Sequence, residues 1–322
     1  MPTETPLRAL PDSAAAGDRV DAWVAAAKGA FSDNTERALR SDLRIYAAWC
    51  GARGLAAVPA SPATVAAFVD AMAAVRAPAT VRRYVASIAA LHRSVGCGGT
   101  VRSAAVRLAV QRMHRVRGRR QGQALGLTWP LRRRLLEAAG ARLIDARDRA
   151  LVAVAYDGML RRAELSALRV DDLVEEMGGD GTLLVRRAKT DPEGAGAMVY
   201  LAPDTVALVR EWLARAGVAD GRLFRSLRPG RPPGERLHPS QIPRIVKGMA
   251  RRAGLPDDVA ARLSGHSARV GAAQDMIAAG IELPAILQAG RWRTTAMVNR
   301  YGERLLARRS GAAQLARLQR RA

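Results

Sequence analysis

Gly265-His266-Ser267-Ala268-Arg269-Val270-Gly271-Ala272-Ala273-Gln274-Asp275-Met276 opens a helix on a histidine and an arginine, with a glycine before them. The spacing predicts a helix over 267–279. Alone the segment says little, because a single histidine is more often a satisfied structural residue than a reacting one. Its neighbours along the chain change that weight. Downstream, helices are expected near 283–289 and 294–307, with Trp292 between them and Tyr301 nine residues after it. Upstream, an apolar helix at 146–158 runs into Gly158-Met159-Leu160-Arg161-Arg162-Ala163-Glu164-Leu165, an arginine at a helix end with a glutamate three residues on. Between the two lie β-prone runs at 183–187 and 198–201, separated by a polar, glycine-containing loop that carries Lys189. That pattern is a hairpin signal.

The rest of residues 128–322 reads as helices. One starts at Thr128-Trp129-Pro130, others lie near 204–216, 240–253 and 256–263, and an amphipathic one closes the chain at 312–321. Residues 18–117 read as four or five helices without strand-like alternation. Asp33-Asn34 is expected to cap a helix whose Leu39, Leu43, Tyr46 and Trp49 recur at helical spacing. Ser61-Pro62 is a cap followed by proline at the first helical position. Thr80 precedes Val81, Tyr84, Ile88 and Leu91 on one face, and a fourth helix is expected at 101–116. Residues 1–17, rich in Pro, Ala and Ser, are expected to be a flexible tail. Residues 118–127 are expected to link two domains, within a run holding Arg115, Arg117, Arg119 and Arg120. That run is either a solvated connector or a segment that crosses a polyanion. The expected class is mostly α with a small β-hairpin, as an N-terminal helical domain and an α+β domain.

Composition narrows the partner. The 322 residues are a soft prior for two domains, and 49% hydrophobic residues support packed cores. Lys and Arg outnumber Asp and Glu 52 to 29, a net charge of +23. Such an excess normally meets nucleic acid. A membrane surface is the rival, but no run of roughly 18 apolar residues occurs, so no spanning helix is expected. The start of the chain lacks the pattern of a signal peptide, and a cytoplasmic setting is expected. Cys50 and Cys97 match no metal-ligand spacing and are expected to be buried thiols. Lysine occurs only at 28, 189 and 247. Arginine keeps its proton where lysine can give one up, so each lysine in so arginine-rich a chain is a candidate for proton transfer.

Arg161, then Lys189 in a hairpin, then His266 with Arg269, then Trp292, then Tyr301 is an ordered set that resembles the tyrosine recombinase family, also called the phage integrase family. The run 265–276 and Leu287-Gln288-Ala289-Gly290 carry the likeness most strongly, with looser agreement at Ala47-Ala48-Trp49-Cys50 and Leu91-His92-Arg93-Ser94. It covers roughly residues 20–310.

The resemblance implies site-specific recombination of double-stranded DNA. Transesterification through a 3′-phosphotyrosine, with a Holliday junction on the way, would need neither metal nor cofactor. Tyr301 would be the nucleophile. Arg161 and Arg269 would clamp the non-bridging phosphate oxygens with charge-assisted hydrogen bonds. His266 would donate or accept a proton, and Trp292 would donate its indole N–H. Lys189 would protonate the leaving 5′-hydroxyl. Glu164 would brace the site without touching phosphate. The two domains would clamp duplex DNA as a bacterial, phage or plasmid protein, four protomers to two sites. Candidate DNA contacts are Arg82, Arg83 and Arg93 on one helix, and Arg244 and Lys247 on another. The terminal helix at 312–321 would dock on a neighbour or pack on its own domain. Two further readings remain open: a type IB-like topoisomerase, and a DNA-binding protein of this fold that does not cut.

Overall fold

A computed structural model describes residues 21–23, 25–26, 28–120, 122–188, 191 and 193–321. The expected tail at 1–17 and Lys189 lie outside the described residues. The chain divides into two compact units, Met1–Gly122 and Gln123–Ala322.

The first unit is helical. Helix α1 (Asp33–Gly51) begins on Asp33, within the expected cap, because the Ser32 hydroxyl one residue earlier accepts from the Thr35 amide at 3.4 Å and does the capping itself. Helix α2 (Pro62–Val75) begins as expected, with Ser61 accepting from the Thr64 amide at 3.0 Å. Helix α3 (Pro78–Ser94) starts two residues earlier than Thr80, since proline suits the first helical turn. The single helix expected at 101–116 is two, α4 (Gly99–Arg102) and α5 (Ala104–Arg117). Ser103 breaks it with an extended ψ of 158° and caps α5 through the Val106 amide. Leu43, Tyr46, Phe68, Val81, Tyr84, Ile88 and Leu91 form the core, and Tyr46 meets Phe68 edge-on at 5.0 Å.

His92 in this core is a satisfied structural histidine. Its Nδ1–H donates to the Ile88 carbonyl at 2.9 Å, and its Nε2 accepts from the Ala60 amide at 3.1 Å. Cys50 is buried, whereas Cys97 is only half-buried, which corrects the expectation of two buried thiols.

The second unit packs helices around a three-stranded antiparallel sheet. Its early helices are α6 (Trp129–Glu137), α7 (Leu143–Asp157) and α8 (Arg162–Ala167). The sheet runs in the order β1 (Leu173–Glu175), β2 (Gly181–Val185), β3 (Ala197–Leu201). The β2–β3 pair is the expected hairpin, and β1 is an additional strand. Leu183 pairs with Leu173 on one side and Val199 on the other. Its inward face carries Leu183, Val185, Val199 and Leu201 into the core with Leu151, Val206 and Trp212.

Then follow α9 (Pro203–Ala216), α10 (Gln241–Arg252), α11 (Asp257–Arg262), α12 (Ser267–Ala279), α13 (Leu283–Gly290), α14 (Ala296–Ala307) and α15 (Gly311–Leu318). Helix α12 is buried continuously from Ser267 to Ala273. Its small residues allow that burial: a Cβ on Gly271 would lie 1.9 Å from the Leu127 carbonyl oxygen. Helix α15 buries none of its residues, and Leu315 and Leu318 face solvent. Among the described residues, no helix is long and apolar enough to cross a membrane.

Candidate active site

Two turns in left-handed backbone shape the site. Helix α7 ends at Asp157, and Met159 then takes a φ of 47°. The chain turns so that Arg161 becomes the residue preceding α8. The Glu164 carboxylate folds back onto it, accepting from the Arg161 amide at 3.0 Å and its guanidinium at 2.7 Å. After α13, Arg291 takes a φ of 50° and reaches the same carboxylate at 2.7 Å. Its other nitrogen donates to the Gly158 carbonyl at 2.9 Å. Glu164 is therefore a buried anion between two arginines.

Arg269, one turn into α12, is 1% exposed. Its guanidinium donates to the carbonyls of Met159 and Gly290, one from each turn just described. Three of its five N–H groups remain for another acceptor. Its charge sits 4.9 Å from the centre of the Trp292 ring, a cation–π contact. Gly290 leaves room for that ring, since a Cβ there would come within 2.4 Å of it.

Tyr301, on α14, is 5% exposed and lies edge-on to both Trp292 and His266, each with ring centres 5.7 Å apart. Its hydroxyl shares a hydrogen bond with Nε2 of His266. Gln274 of α12 donates to the Tyr301 carbonyl at 3.1 Å.

The electrostatics oppose charge on the reacting groups. Burial pushes the Tyr301 phenol up, while Arg269, Arg300 and Arg161 pull it back. Burial lowers His266, and Arg269, Arg161 and Arg300 push the same way. Burial also brings Arg269 down to about 10, helped by Arg161 and Arg291. A neutral imidazole thus faces a neutral phenol inside a cationic pocket, an arrangement that can pass a proton from phenol to imidazole when an anion enters. Arg161 keeps 24% of its side chain exposed, so of the two arginines Arg161 and Arg269 it is the more accessible to such an anion.

Arg161, Glu164, His266, Arg269, Trp292 and Tyr301 come together from α8, α12, α14 and the turns before them. Further along the same loop, the Asp191 carboxylate accepts from the amides of Gly194, Ala195 and Gly196 at 2.8–3.1 Å. Sequence reasoning did not find Arg291 or Gln274. Each has a charged residue one or two positions on, Asp275 after Gln274 and Arg293 after Arg291, so nothing local sets it apart.

The expected DNA contacts fall into two groups. Arg82 and Arg93 are exposed on α3, and Arg244 is exposed and Lys247 half-buried on α10. Arg83 is instead held by Asp42, at 2.9 and 2.7 Å, and that buried carboxylate also accepts from Ser87.

Residues 132–306 match the family model described as the phage integrase family. The chain is 32% identical over 290 residues to recombinase cre of Escherichia phage P1, with 84% of each covered. It is 28% identical to an integrase/recombinase xerD homolog of Selenomonas ruminantium, covering 84% of this chain and 82% of that one. Among solved structures, the Tn1549 transposon integrase in complex with transposon right-end DNA aligns at a TM-score of 0.64 and 12% identity, covering 89% of this chain and 94% of that one. A lambda integrase tetramer bound to a Holliday junction aligns at 0.60 and 15%, covering 90% and 78%. These two likenesses are of fold.

Proposed function

Because the chain belongs to the phage integrase family and is a site-specific DNA recombinase, we propose that Tyr301 is the nucleophile of its strand cleavage. The observation that carries this assignment is the hydrogen bond between the Tyr301 hydroxyl and His266 Nε2 inside the arginine pocket. A phenol near its ordinary pKa of ~10 is a poor nucleophile until its proton has somewhere to go. His266 takes that proton as the Tyr301 oxygen attacks phosphorus. The bond from phosphorus to the 5′-oxygen breaks, and Lys189 supplies the proton that lets the 5′-hydroxyl leave. The 3′-phosphotyrosine keeps the energy of the broken ester. Attack by another strand's 5′-hydroxyl reverses each step and returns the tyrosine.

Arg161 and Arg269 stabilise the charge that grows on the non-bridging oxygens, and Trp292 closes the pocket against water. Removal of one such preorganised donor typically costs ~3–4 kcal/mol of transition-state stabilisation. Glu164 acts on phosphate only through Arg161.

The proposed assembly is four protomers on two duplexes, passing through a Holliday junction. The likeness to a lambda integrase tetramer on such a junction supports it. In it α15, with exposed Leu315 and Leu318, docks on the next protomer. Each protomer would close its two units around duplex DNA, with Arg82, Arg83, Arg93, Arg244 and Lys247 on the backbone or bases. The proposed setting is the bacterial cytoplasm.

The test uses a pool of nicked duplexes of randomised sequence. After incubation and denaturation, a covalent adduct mapped to Tyr301 and absent from Tyr301→Phe supports the assignment. Recovered DNA, placed twice on a plasmid, should then give recombinants. Relaxation without exchange would mean a topoisomerase, and retention of DNA without any adduct a protein that only binds.

A further inference from the structure

The segment that brings the chain into the second unit is pressed against the helix that carries Arg269. The Leu125 amide donates to the Arg262 carbonyl at 3.1 Å, and the Leu127 amide to the Ser267 carbonyl at 2.8 Å. The Trp129 amide donates to Asp275 at 2.6 Å. The approach is close at two glycines. A Cβ on Gly271 would meet the Leu127 backbone, and a Cβ on Gly126 would lie 2.1 Å from Oε1 of Gln274.

Gln274 is therefore confined from two directions. One end of its amide is bounded by the buried Gly126 backbone. The other end donates to the carbonyl of Tyr301. One residue further along α14, Gly302 lets the helix close on Ile277 of α12, where a Cβ would come within 2.4 Å of Ile277 Cδ1. The height of Tyr301 is set by α12 at two adjacent points, one polar and one apolar, and the polar one leans on the entering segment.

We propose that Gln274 is a positioning residue for strand cleavage, holding Tyr301 in place through its backbone carbonyl with its own amide set by Gly126. It touches no reacting atom. Its effect follows from geometry, because an attacking oxygen displaced by about 1 Å can cost ~10²-fold in rate. The inference rests on Tyr301 as the nucleophile.

The experiment measures single-turnover adduct formation on the nicked duplex recovered from the randomised pool, beside affinity for the same duplex and thermal unfolding. Gln274→Met keeps the length of the side chain and removes the donor. Cleavage should slow by about tenfold or more, with affinity and unfolding temperature unchanged. Gln274→Lys keeps an N–H donor on a stem of similar length and should restore most of the rate. Gly126→Ala pushes on the amide and should slow cleavage too. Gly126→Ala with Gln274→Ala should be little slower than Gln274→Ala alone, because the group pushed hardest is gone and only the Gly271 Cα, 3.2 Å from the added methyl, remains.

Wild-type cleavage by Gln274→Met would overturn the proposal. Independent, multiplying effects of Gly126→Ala and Gln274→Ala would overturn the link to the entering segment. An adduct on a residue other than Tyr301 in the unsubstituted chain would instead remove the assignment of the nucleophile.

Discussion

Arg291 donates to Glu164 at 2.7 Å from a left-handed backbone position, φ 50°. Few residues other than glycine adopt that conformation without cost. The ion pair holds the arginine there, and it saturates a carboxylate that would otherwise neutralise Arg161 alone.

Glu164→Ala leaves two guanidiniums near each other without their shared anion. Breaking a buried pair in this way typically costs ~3–5 kcal/mol, and urea unfolding should show a loss of that size. Arg291→Gly gives up the pair but suits the backbone, so its loss in the same measurement should be smaller.

The pH dependence should follow His266. Its folded pKa is lowered, so the folded chain binds fewer protons here than the unfolded chain just below the ordinary histidine value of ~6.5. Its contribution to stability is present above that value and is lost as pH falls through the lowered one. The difference in stability between the unsubstituted chain and His266→Gln should shrink across that window. The second-order rate of adduct formation should rise with pH over the same range, and His266→Gln should lose both that limb and ~10²–10⁴-fold in rate. A pH limb that survives the substitution would assign it to another group.

Two glycine substitutions should separate rigid from yielding contacts. Gly271→Ala drives a methyl into the Leu127 carbonyl, where backbone meets backbone. Gly302→Ala meets only the end of the Ile277 side chain, which can turn away. Overpacking costs typically ~1–3 kcal/mol. Gly302→Ala should fall in that range by thermal unfolding, and Gly271→Ala should exceed it.

Arg82 and Arg83 are adjacent, yet they should fail differently. Arg83→Ala strands the buried Asp42 carboxylate, and unit stability should drop. Arg82→Ala should leave stability unchanged while reducing the slope of log affinity against log salt by about one. Equal stability losses would mean that Asp42 is satisfied by Ser87 alone.

Lys189→Ala should slow cleavage of an ordinary phosphodiester. A substrate with sulfur at the 5′ leaving position needs no proton to depart, and it should be cut by Lys189→Ala as fast as by the unsubstituted chain. Absence of that rescue would remove Lys189 from the acid role.

Helix positions were legible because caps, prolines and apolar periodicity act over about four residues. Ser61-Pro62 is a local signal that the structure follows, and the helices expected near 204–216 and at 267–279 match α9 and α12 to within one residue. The ordered set from Arg161 to Tyr301 was legible for a different reason. Side chains capable of charge and proton transfer keep their chemistry wherever they lie. Strand β1 was not legible, since a strand of three residues carries no period and exists only because β2 pairs with it. The break at Ser103 was open to a reading of capping chemistry that apolar spacing obscured.

The sequence by itself determined which groups can react and roughly where each helix begins and ends. Tertiary structure alone decided what those groups face. Arg269 meets a carbonyl 110 residues away, Arg291 a carboxylate 127 residues away, and Tyr301 an imidazole 35 residues away. Burial, charge partners and proton position all depend on such long-range neighbours. Electrostatic interaction falls with distance in space and is indifferent to distance along the chain.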